Sequence, residues 1–124
     1  MKEAGRFVIQ RHARKGRPVH WDLMLETASL LRTYRLDLSP QQLMTSGRCV
    51  AVRIFDHSPK FLTYEGPVNQ GRGTVEIADA GTYQLLDERP DRCRMLLQGG
   101  IAKGAFTLTL MEADRWDLAL LSPQ

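Results

Sequence analysis

The sequence has few of the residues on which several protein classes depend. Only two of its 124 residues are cysteines, and Cys49 and Cys93 lie in alternating strand-like patterns without the spacing of metal ligands. Buried thiols are therefore expected, and neither a disulfide nor a zinc knuckle. No apolar run approaches the roughly 20 residues of a membrane span, and the N-terminus lacks the apolar stretch of a signal peptide. We expect a cytoplasmic protein with no membrane partner.

Several familiar sites are also missing. No serine lies in a G-x-S-x-G context, and Gly71-Arg72-Gly73 is too short for a phosphate loop and precedes no helical pattern. The nine aromatic residues give no obvious platform for stacking nucleobases. Trp21, Tyr83 and Trp116 alternate with polar residues, which favours a place in the core. The sequence also has no repeat, low-complexity stretch or linker.

What is present fits one compact domain over residues 1–124. A chain of this length buries roughly two-thirds of the surface that its unfolded form exposes. Its hydrophobic fraction of 43% and charged fraction of 25% are those of a globular protein and not of a disordered one.

Strand patterns follow one another along most of the chain. They are predicted over residues 6–11, 20–26, 30–36, 49–55, 74–78, 82–86, 92–97, 105–111 and 116–121. Ser39-Pro40 and Gly47 predict the start and end of one short helix, and residues 79–81 predict a tight hairpin. The irregular segment 56–72 predicts a long loop over the functional site. The pattern favours a mainly β fold, a small closed or nearly closed antiparallel β-barrel with one short helix, although periodicity alone does not separate a barrel from a sandwich.

Residues 10–26 hold two of the three histidines and a nearby carboxylate. Because strand side chains alternate, His20 and Asp22 project from one face, and a loop can bring His12 back beside them. Two neutral imidazoles and one carboxylate make a three-ligand site with open positions, suited to zinc, manganese or iron. A surface strand can also carry such a pair without a metal. His57, which follows Asp56 at the end of another predicted strand, adds a further functional residue.

The net charge of +3 is compatible with a nucleic-acid partner without requiring one. Basic residues gather around His12, at Arg6, Arg11, Arg14, Lys15 and Arg17. Their positive potential would draw a phosphate-bearing substrate to the proposed metal site. The same charges would also suit a solvated loop that only keeps the protein soluble.

Several segments resemble one protein family and occur in the same order. They are HARKGRPVHWDLMLE, AVRIFDHS, YEG, DAGTY and GAFTLTLMEADRWDLALL. In these segments, which span nearly the whole chain, the sequence is similar to the 3′-phosphoesterase domain of bacterial DNA ligase D and its stand-alone relatives. The resemblance implies a compact β-barrel with a metal site in a concave surface.

The resemblance also implies an activity in DNA repair. Family members use manganese to remove a 3′-terminal ribonucleoside from a primer strand and then the remaining 3′-phosphate. The matching positions make His12, His20 and Asp22 ligands of Mn²⁺, or of another divalent transition metal such as Zn²⁺, and make His57 a contact of the scissile phosphate. The implied partners are DNA or DNA/RNA 3′ ends, with ligase and end-joining proteins. We further expect Arg14, Arg17 and Arg53 to contact phosphate or nucleic acid together with His57. Asp56 and Glu65 are expected to support the site.

The sequence departs from the family pattern at several places. The interval between His12 and His20 is longer than usual, so the loop is expected to bulge. Met24 stands where the family has an arginine, and Phe61 where it has a tyrosine. We also expect the protein to lack the polar arm that the family carries before its first strand.

These departures predict slow 3′-phosphatase activity and a still weaker phosphodiesterase step. A gain of activity is expected from Met24→Arg, larger when combined with Phe61→Tyr. Arg14, Arg53 and Arg72 are candidates to replace the missing cation. The alternative is a catalytically weak or inactive accessory module that binds nucleic-acid ends, and a third interpretation is a metal-bound structural barrel without phosphate chemistry.

Overall fold

A computed structural model describes residues 3–121, and Met1, Lys2 and residues 122–124 lie outside the described part. Its strands are β1 (Ala4–Arg14), β2 (His20–Glu26), β3 (Leu31–Leu36), β4 (Arg48–His57), β5 (Gly66–Val68), β6 (Gly73–Arg89), β7 (Arg92–Gly99), β8 (Lys103–Glu112) and β9 (Arg115–Leu120). The sheet order is β1-β2-β3-β4-β9-β8-β7-β6-β5, and β1 also pairs with β6. Eight antiparallel strands therefore form a nearly closed ring with β5 at its margin, which confirms the predicted mainly β fold.

The one α-helix, α1 (Pro40–Ser46), begins and ends where the sequence predicts. The Ser39 hydroxyl accepts a hydrogen bond from the Gln42 backbone N–H at 3.1 Å, and the Gln42 side chain accepts one from the Ser39 N–H at 2.9 Å. This capping box satisfies two N–H groups that the first turn leaves without partners. At the other end, Gly47 adopts a φ of 78° and its N–H bonds to the Leu43 carbonyl. Such a left-handed cap suits glycine, which has no Cβ to clash.

The predicted hairpin at residues 79–81 is wrong, because β6 passes through them as one 17-residue strand. Asp79 is 6% exposed, and its carboxylate accepts hydrogen bonds of 2.7–3.2 Å from backbone N–H groups of residues 100–102. A Cβ on Gly81 would lie 2.0 Å from the backbone of β7. The aspartate therefore fixes the turn after β7, and the glycine permits close strand pairing.

The strands that carry the predicted metal ligands present different chemistry on their two faces. The inner face belongs to the main core and on β1 to β3 consists of Phe7, Ile9, Leu23, Leu25, Tyr34 and Leu36. Because neighbouring strand residues point to opposite sides, Gln10, His12 and Asp22 project from the outer face. The 3-10 helix Pro59–Leu62 packs on this outer face and contributes Leu62 to a second apolar cluster with Val8 and Met24. The predicted ligands His12 and Asp22 therefore lie outside the barrel core.

The remaining sequence predictions about the core hold. Cys49 and Cys93 are buried free thiols, and burial raises the pKa of Cys49 to about 12 and that of Cys93 to about 11. Tyr83 is buried, and Trp21 and Trp116 pack against the core. Within residues 3–121, no helix has the length and apolar character needed to cross a membrane.

Candidate active site

The hairpin of β1 and β2 brings the three predicted metal ligands together. His12 stands directly opposite His20 in the antiparallel register. The His12 Nδ1 atom lies 3.1 Å from His20 Nε2 and 3.8 Å from Asp22 Oδ2. His20 Nε2 lies 3.5 Å from Asp22 Oδ1, and ligand atoms of all three residues lie within 4.8 Å of one another. His12 belongs to the strand itself, so the longer interval is absorbed in the hairpin turn after Arg14 and not by a bulging loop that folds back.

Two atoms of this cluster are buried without hydrogen-bond partners among the described residues. They are Asp22 Oδ1 and His12 Nε2. A buried polar group without a partner costs about 1–3 kcal/mol, and a charged one costs more. A divalent cation between the two imidazoles and the carboxylate would satisfy Asp22 Oδ1. The cluster of His12, His20 and Asp22 therefore fits a divalent metal ion.

The electrostatics of His12 also suit a metal ligand. Burial lowers the pKa of His12, and the neighbouring His20, Arg14 and Arg35 lower it further, against the opposing effect of Asp22. The ring is therefore neutral near pH 7, and a neutral imidazole is the form that binds a metal.

Two residues of the cluster, His12 and Asp22, line a pocket of about 370 Å³ on the outer face. Further polar walls come from Gln10, Arg14, Arg35, His57 and Asn69, and the apolar lining includes Met24, Phe55 and Phe61. A cavity of this size with several convergent polar groups is typical of a ligand site.

His57 lies across this pocket, held by a hydrogen bond from β3. Its Nδ1 atom is 2.9 Å from Thr33 Oγ1, and the Thr33 hydroxyl donates to the Leu31 carbonyl at 2.9 Å. Because a hydroxyl has a single proton, the neutral His57 ring must donate from Nδ1 and keep its lone pair on Nε2. Burial lowers the pKa of His57, although the charges of Asp22 and Asp56 oppose the shift.

The segment after His57, predicted as one irregular loop over residues 56–72, contains the 3-10 helix and β5, and its Phe61, Val68 and Asn69 line the pocket. The side-chain amide of Gln10 donates to the Phe61 and Tyr64 carbonyls at 2.9 Å each. Glu65, predicted to support the site, accepts a hydrogen bond from the Ile77 N–H at 2.8 Å and so ties the segment to β6. Gln10 is 1% exposed. It is a positioning residue that sequence reasoning missed, because a lone glutamine in a strand gives no signal of its partners.

A comparison with protein-family models matches residues 10–113 to the DNA ligase D 3′-phosphoesterase domain. The chain belongs to this family. No curated protein matches the chain. The matched range contains all four residues proposed for the chemistry, His12, His20, Asp22 and His57.

Met24 occupies the position where the resemblance to the phosphoesterase family places an arginine. It is 1% exposed and packs against Val8, Leu31 and Leu62. A guanidinium in this apolar cluster would lack the partners that a buried charge requires. Met24 therefore belongs to the apolar packing, and it also lines the pocket beside Asp22.

Arg35 supplies a guanidinium to the same pocket from the neighbouring strand. It is paired with Asp22 across β2 and β3, and directly opposed residues project from the same face of a sheet. Arg35 is exposed and lines the pocket with His12 and His57. Its positive charge lowers the pKa of both histidines. The sequence alone does not identify Arg35, because its place opposite Asp22 follows from the register of β3, which the sequence does not specify.

The other predicted cations lie in different environments. Arg14 lines the pocket, and its Nε atom is buried with no hydrogen-bond partner in residues 3–121. Arg72 lines an adjoining shallow cleft with Arg14 and Lys15. Arg17 is exposed in the hairpin turn. Positive charge therefore continues from the pocket onto the surface beside it.

Arg53 and Asp56, both predicted for the site, pair with each other at 2.7 Å. The Arg53 guanidinium also donates to the Ile54 carbonyl and lies over the Tyr34 ring at 5.5 Å. These contacts hold Arg53 in a second cleft, which it lines with Tyr34. Among the arginines considered for the missing cation, Arg14 and not Arg53 reaches the pocket.

Phe61 meets the edge of His57 at the position where the family pattern has a tyrosine. The two ring centroids are 5.6 Å apart, with an interplanar angle of 88°. The nearby Tyr64 does not replace the lost hydroxyl, because its phenol donates to the Pro67 carbonyl at 2.5 Å. This departure therefore has no evident compensation in the described residues.

Proposed function

We propose that the protein is a divalent-metal-dependent phosphoesterase that removes phosphate from DNA 3′ ends in repair and, more slowly, a 3′-terminal ribonucleoside. One observation carries the proposal. The Oδ1 atom of Asp22, which has no hydrogen-bond partner among the described residues, belongs to a cluster with His12 and His20, and Asp22 and His12 line one pocket with His57 and Arg35. Family membership supports the same activity. Ligase and end-joining proteins remain predicted partners.

His12, His20 and Asp22 would hold the metal, Mn²⁺ or Zn²⁺. The bound ion would polarise a phosphoryl oxygen and lower the pKa of a bound water. The protein residues contribute a preformed set of two nitrogens and one carboxylate oxygen, with His12 already neutral.

Arg35 and Arg14 would bind the phosphoryl oxygens. A guanidinium can donate two parallel hydrogen bonds to a phosphate, and it keeps its charge at any working pH. Arg35 would therefore replace the arginine that the family pattern has at Met24, from an adjacent strand of the same sheet face.

His57 would handle the proton of the leaving group. The contact with Thr33 fixes the Nδ1 proton, so Nε2 is the atom that gains and loses a proton. A bound phosphate dianion would raise the pKa of the ring, since an opposite charge favours the protonated form. The protonated Nε2 could then donate its proton to the departing 3′ oxygen.

A second candidate function is end binding without turnover. Met24 and Phe61 favour it, because they remove a cation and a hydroxyl donor from the family pattern. Arg35 argues for the enzyme, because it returns a cation to the pocket. The shallow cleft of Arg14, Lys15 and Arg72 would serve either function, since it offers three cations to the DNA backbone.

The two functions are separated by one experiment. Metal-stripped protein is incubated with Mn²⁺ and a labelled duplex that ends in a 3′-phosphate or a single 3′-ribonucleotide. We expect slow conversion of the phosphate end to a 3′-hydroxyl, slower trimming of the ribonucleotide, and no reaction with Asp22→Asn. Binding of the duplex without trimming, in Mn²⁺ and in Zn²⁺, would establish the accessory module instead.

A further inference from the structure

Phe55, near the end of β4, is the most exposed large hydrophobic residue in the described part of the chain, at 74%. Single exposed apolar side chains are ordinary on protein surfaces. Phe55, however, also lines the pocket that contains His12 and Asp22. A phenyl ring offers nothing to a phosphate group. Its place at the edge of this pocket points to the part of the substrate attached to the phosphate.

The Phe55 ring lies at the end of a row of aromatic side chains. It stacks on His57, with ring centroids 4.7 Å apart and an interplanar angle of 24°. His57 meets Phe61 edge-on, and Phe61 meets Tyr64 edge-on at 5.8 Å. Gln10 holds the backbone of Phe61 and Tyr64 through hydrogen bonds to their carbonyls. One face of Phe55 therefore rests on a supported row of rings, and its high exposure leaves the other face to solvent.

We propose that Phe55 is a stacking platform for the base of the nucleotide that carries the 3′-phosphate. The proposal rests on the proposed function, because it places that phosphate beside His57 and Arg35. A ring stacked directly on His57 is then one sugar away from the phosphate, which is where the attached base must lie.

Base stacking would give a role to the exposed Phe55 ring at the edge of the pocket, which phosphate binding does not need. Every nucleobase has a π face, so a phenyl platform adds affinity without selecting a sequence. An end-processing site benefits from such tolerance, because it meets ends of any sequence. The site would then recognise a nucleotide and discriminate against a phosphate on a baseless sugar.

The test compares two labelled DNA strands that both end in a 3′-phosphate. One has a normal terminal nucleotide, and the other has a terminal abasic residue. Binding is measured by fluorescence anisotropy without metal, and kcat/KM is measured with Mn²⁺. The proteins are wild type, Phe55→Ala, Phe55→Trp and the matched control Met111→Ala, whose exposed apolar side chain is outside the pocket.

We expect the wild type to prefer the base-bearing end roughly tenfold, the scale of one base–aromatic stack. Phe55→Ala should lose this preference by weakening only the base-bearing end, Phe55→Trp should keep it, and Met111→Ala should match the wild type. Equal losses on both ends would overturn the proposal, because they would mean that the ring only supports His57. Unchanged binding of both ends in Phe55→Ala would overturn it as well.

Failure of the platform is distinguishable from failure of the enzyme. A wild type that trims both ends equally well supports the phosphoesterase and overturns the platform. A wild type that binds with the expected preference but trims neither end supports the platform and contradicts the phosphoesterase. If neither end is bound or trimmed, both proposals are wrong.

Discussion

Leu23 and Asp22 are neighbours on one strand, buried to nearly the same degree on opposite faces. Leu23 is 0% exposed among the apolar residues of the main core, and Asp22 is 3% exposed beside two imidazoles. Burial of the leucine stabilises the fold, at about 25 cal/mol per Å² of apolar surface removed from water. Burial of the aspartate costs free energy, because Oδ1 has no hydrogen-bond partner.

The difference shows that the two faces of one sheet have different roles, since the inner face stabilises the fold and the outer face carries the candidate site. The inner face of β1 to β3 supplies stability and fixes the register that sets His12 opposite His20. The outer face places the His12 and His20 imidazoles against each other and leaves Asp22 Oδ1 without a hydrogen-bond partner. Such an arrangement is unfavourable by itself and needs a stable scaffold to hold it. Substitutions on the two faces should therefore have separable effects on stability and activity.

The largest expected effect comes from the two neighbours themselves. Asp22→Asn should abolish stoichiometric Mn²⁺ uptake and reduce 3′-phosphatase activity to background, yet leave the metal-free protein at least as stable. Leu23→Ala should lower the free energy of unfolding by about 2–5 kcal/mol, since it opens a cavity in the core. Elemental analysis after loading, urea unfolding without metal and a phosphatase assay measure these outcomes. Full metal content in both Asp22→Asn and His20→Ala would mean that the site has been misplaced.

Removal of the Arg35 guanidinium should have the next largest effect, on the rate of the phosphatase reaction. Arg35→Ala is expected to slow 3′-phosphatase turnover about a hundredfold, the usual effect of losing one electrostatic stabiliser of a transition state. Stability should hardly change, because Arg35 is exposed. The control is Arg94→Ala, which removes an exposed arginine from β7. A rate within twofold of the wild type would assign the phosphate to Arg14 alone.

Met24→Arg tests whether the family's arginine position is still usable. The sequence predicts a gain of activity, larger with Phe61→Tyr. The packing of Met24 against Val8 and Leu62 predicts the opposite, a loss of about 1–3 kcal/mol of stability from overpacking and from burying a charge, with no gain in rate. Thermal unfolding and phosphatase rates are followed together. A folded variant with a faster rate would show that the apolar cluster can open for the guanidinium.

Local chemistry made much of the fold predictable. The capping pair Ser39 and Gly47 act within a few residues of their partners, so they give the helix its bounds directly from the sequence. The error at residues 79–81 has the opposite cause. Asp79 bonds to residues 21 to 23 positions further along the chain, and a sequence pattern of turn residues does not reveal such distant partners.

The same distinction applies to the site. His20 and Asp22 follow from strand alternation alone. Arg35 depends on the pairing of β2 with β3, and Phe55 depends on how β4 bends near His57, where its pairing with β3 shifts register. These nonlocal features set which cation and which aromatic ring reach the pocket, and no local sequence pattern reveals them.

The smallest expected effect concerns the pH dependence of stability, to which His57 contributes through its lowered pKa. In the unfolded chain a histidine titrates near about 6.5. Burial lowers the folded value, and Arg35 lowers it further against the opposing charges of Asp22 and Asp56. As the pH falls from about 7 past the pKa of the unfolded histidine, the unfolded state therefore binds more protons than the folded state. The free energy of unfolding should decrease on acidification for this reason.

His57→Gln should flatten this decrease, and a urea series from pH 7.5 to about 5.5 in EDTA measures it. Glutamine keeps a polar side chain near Thr33 but does not titrate. His12 shifts in the same direction, so part of the slope should remain in this variant and disappear in the double variant with His12→Gln. If the slope of His57→Gln equals that of the wild type, the His57 ring is not desolvated in solution. The pocket of the phosphate-free protein would then be more open in solution than in this structure, and the contact of His57 with Thr33 would not hold the Nδ1 proton.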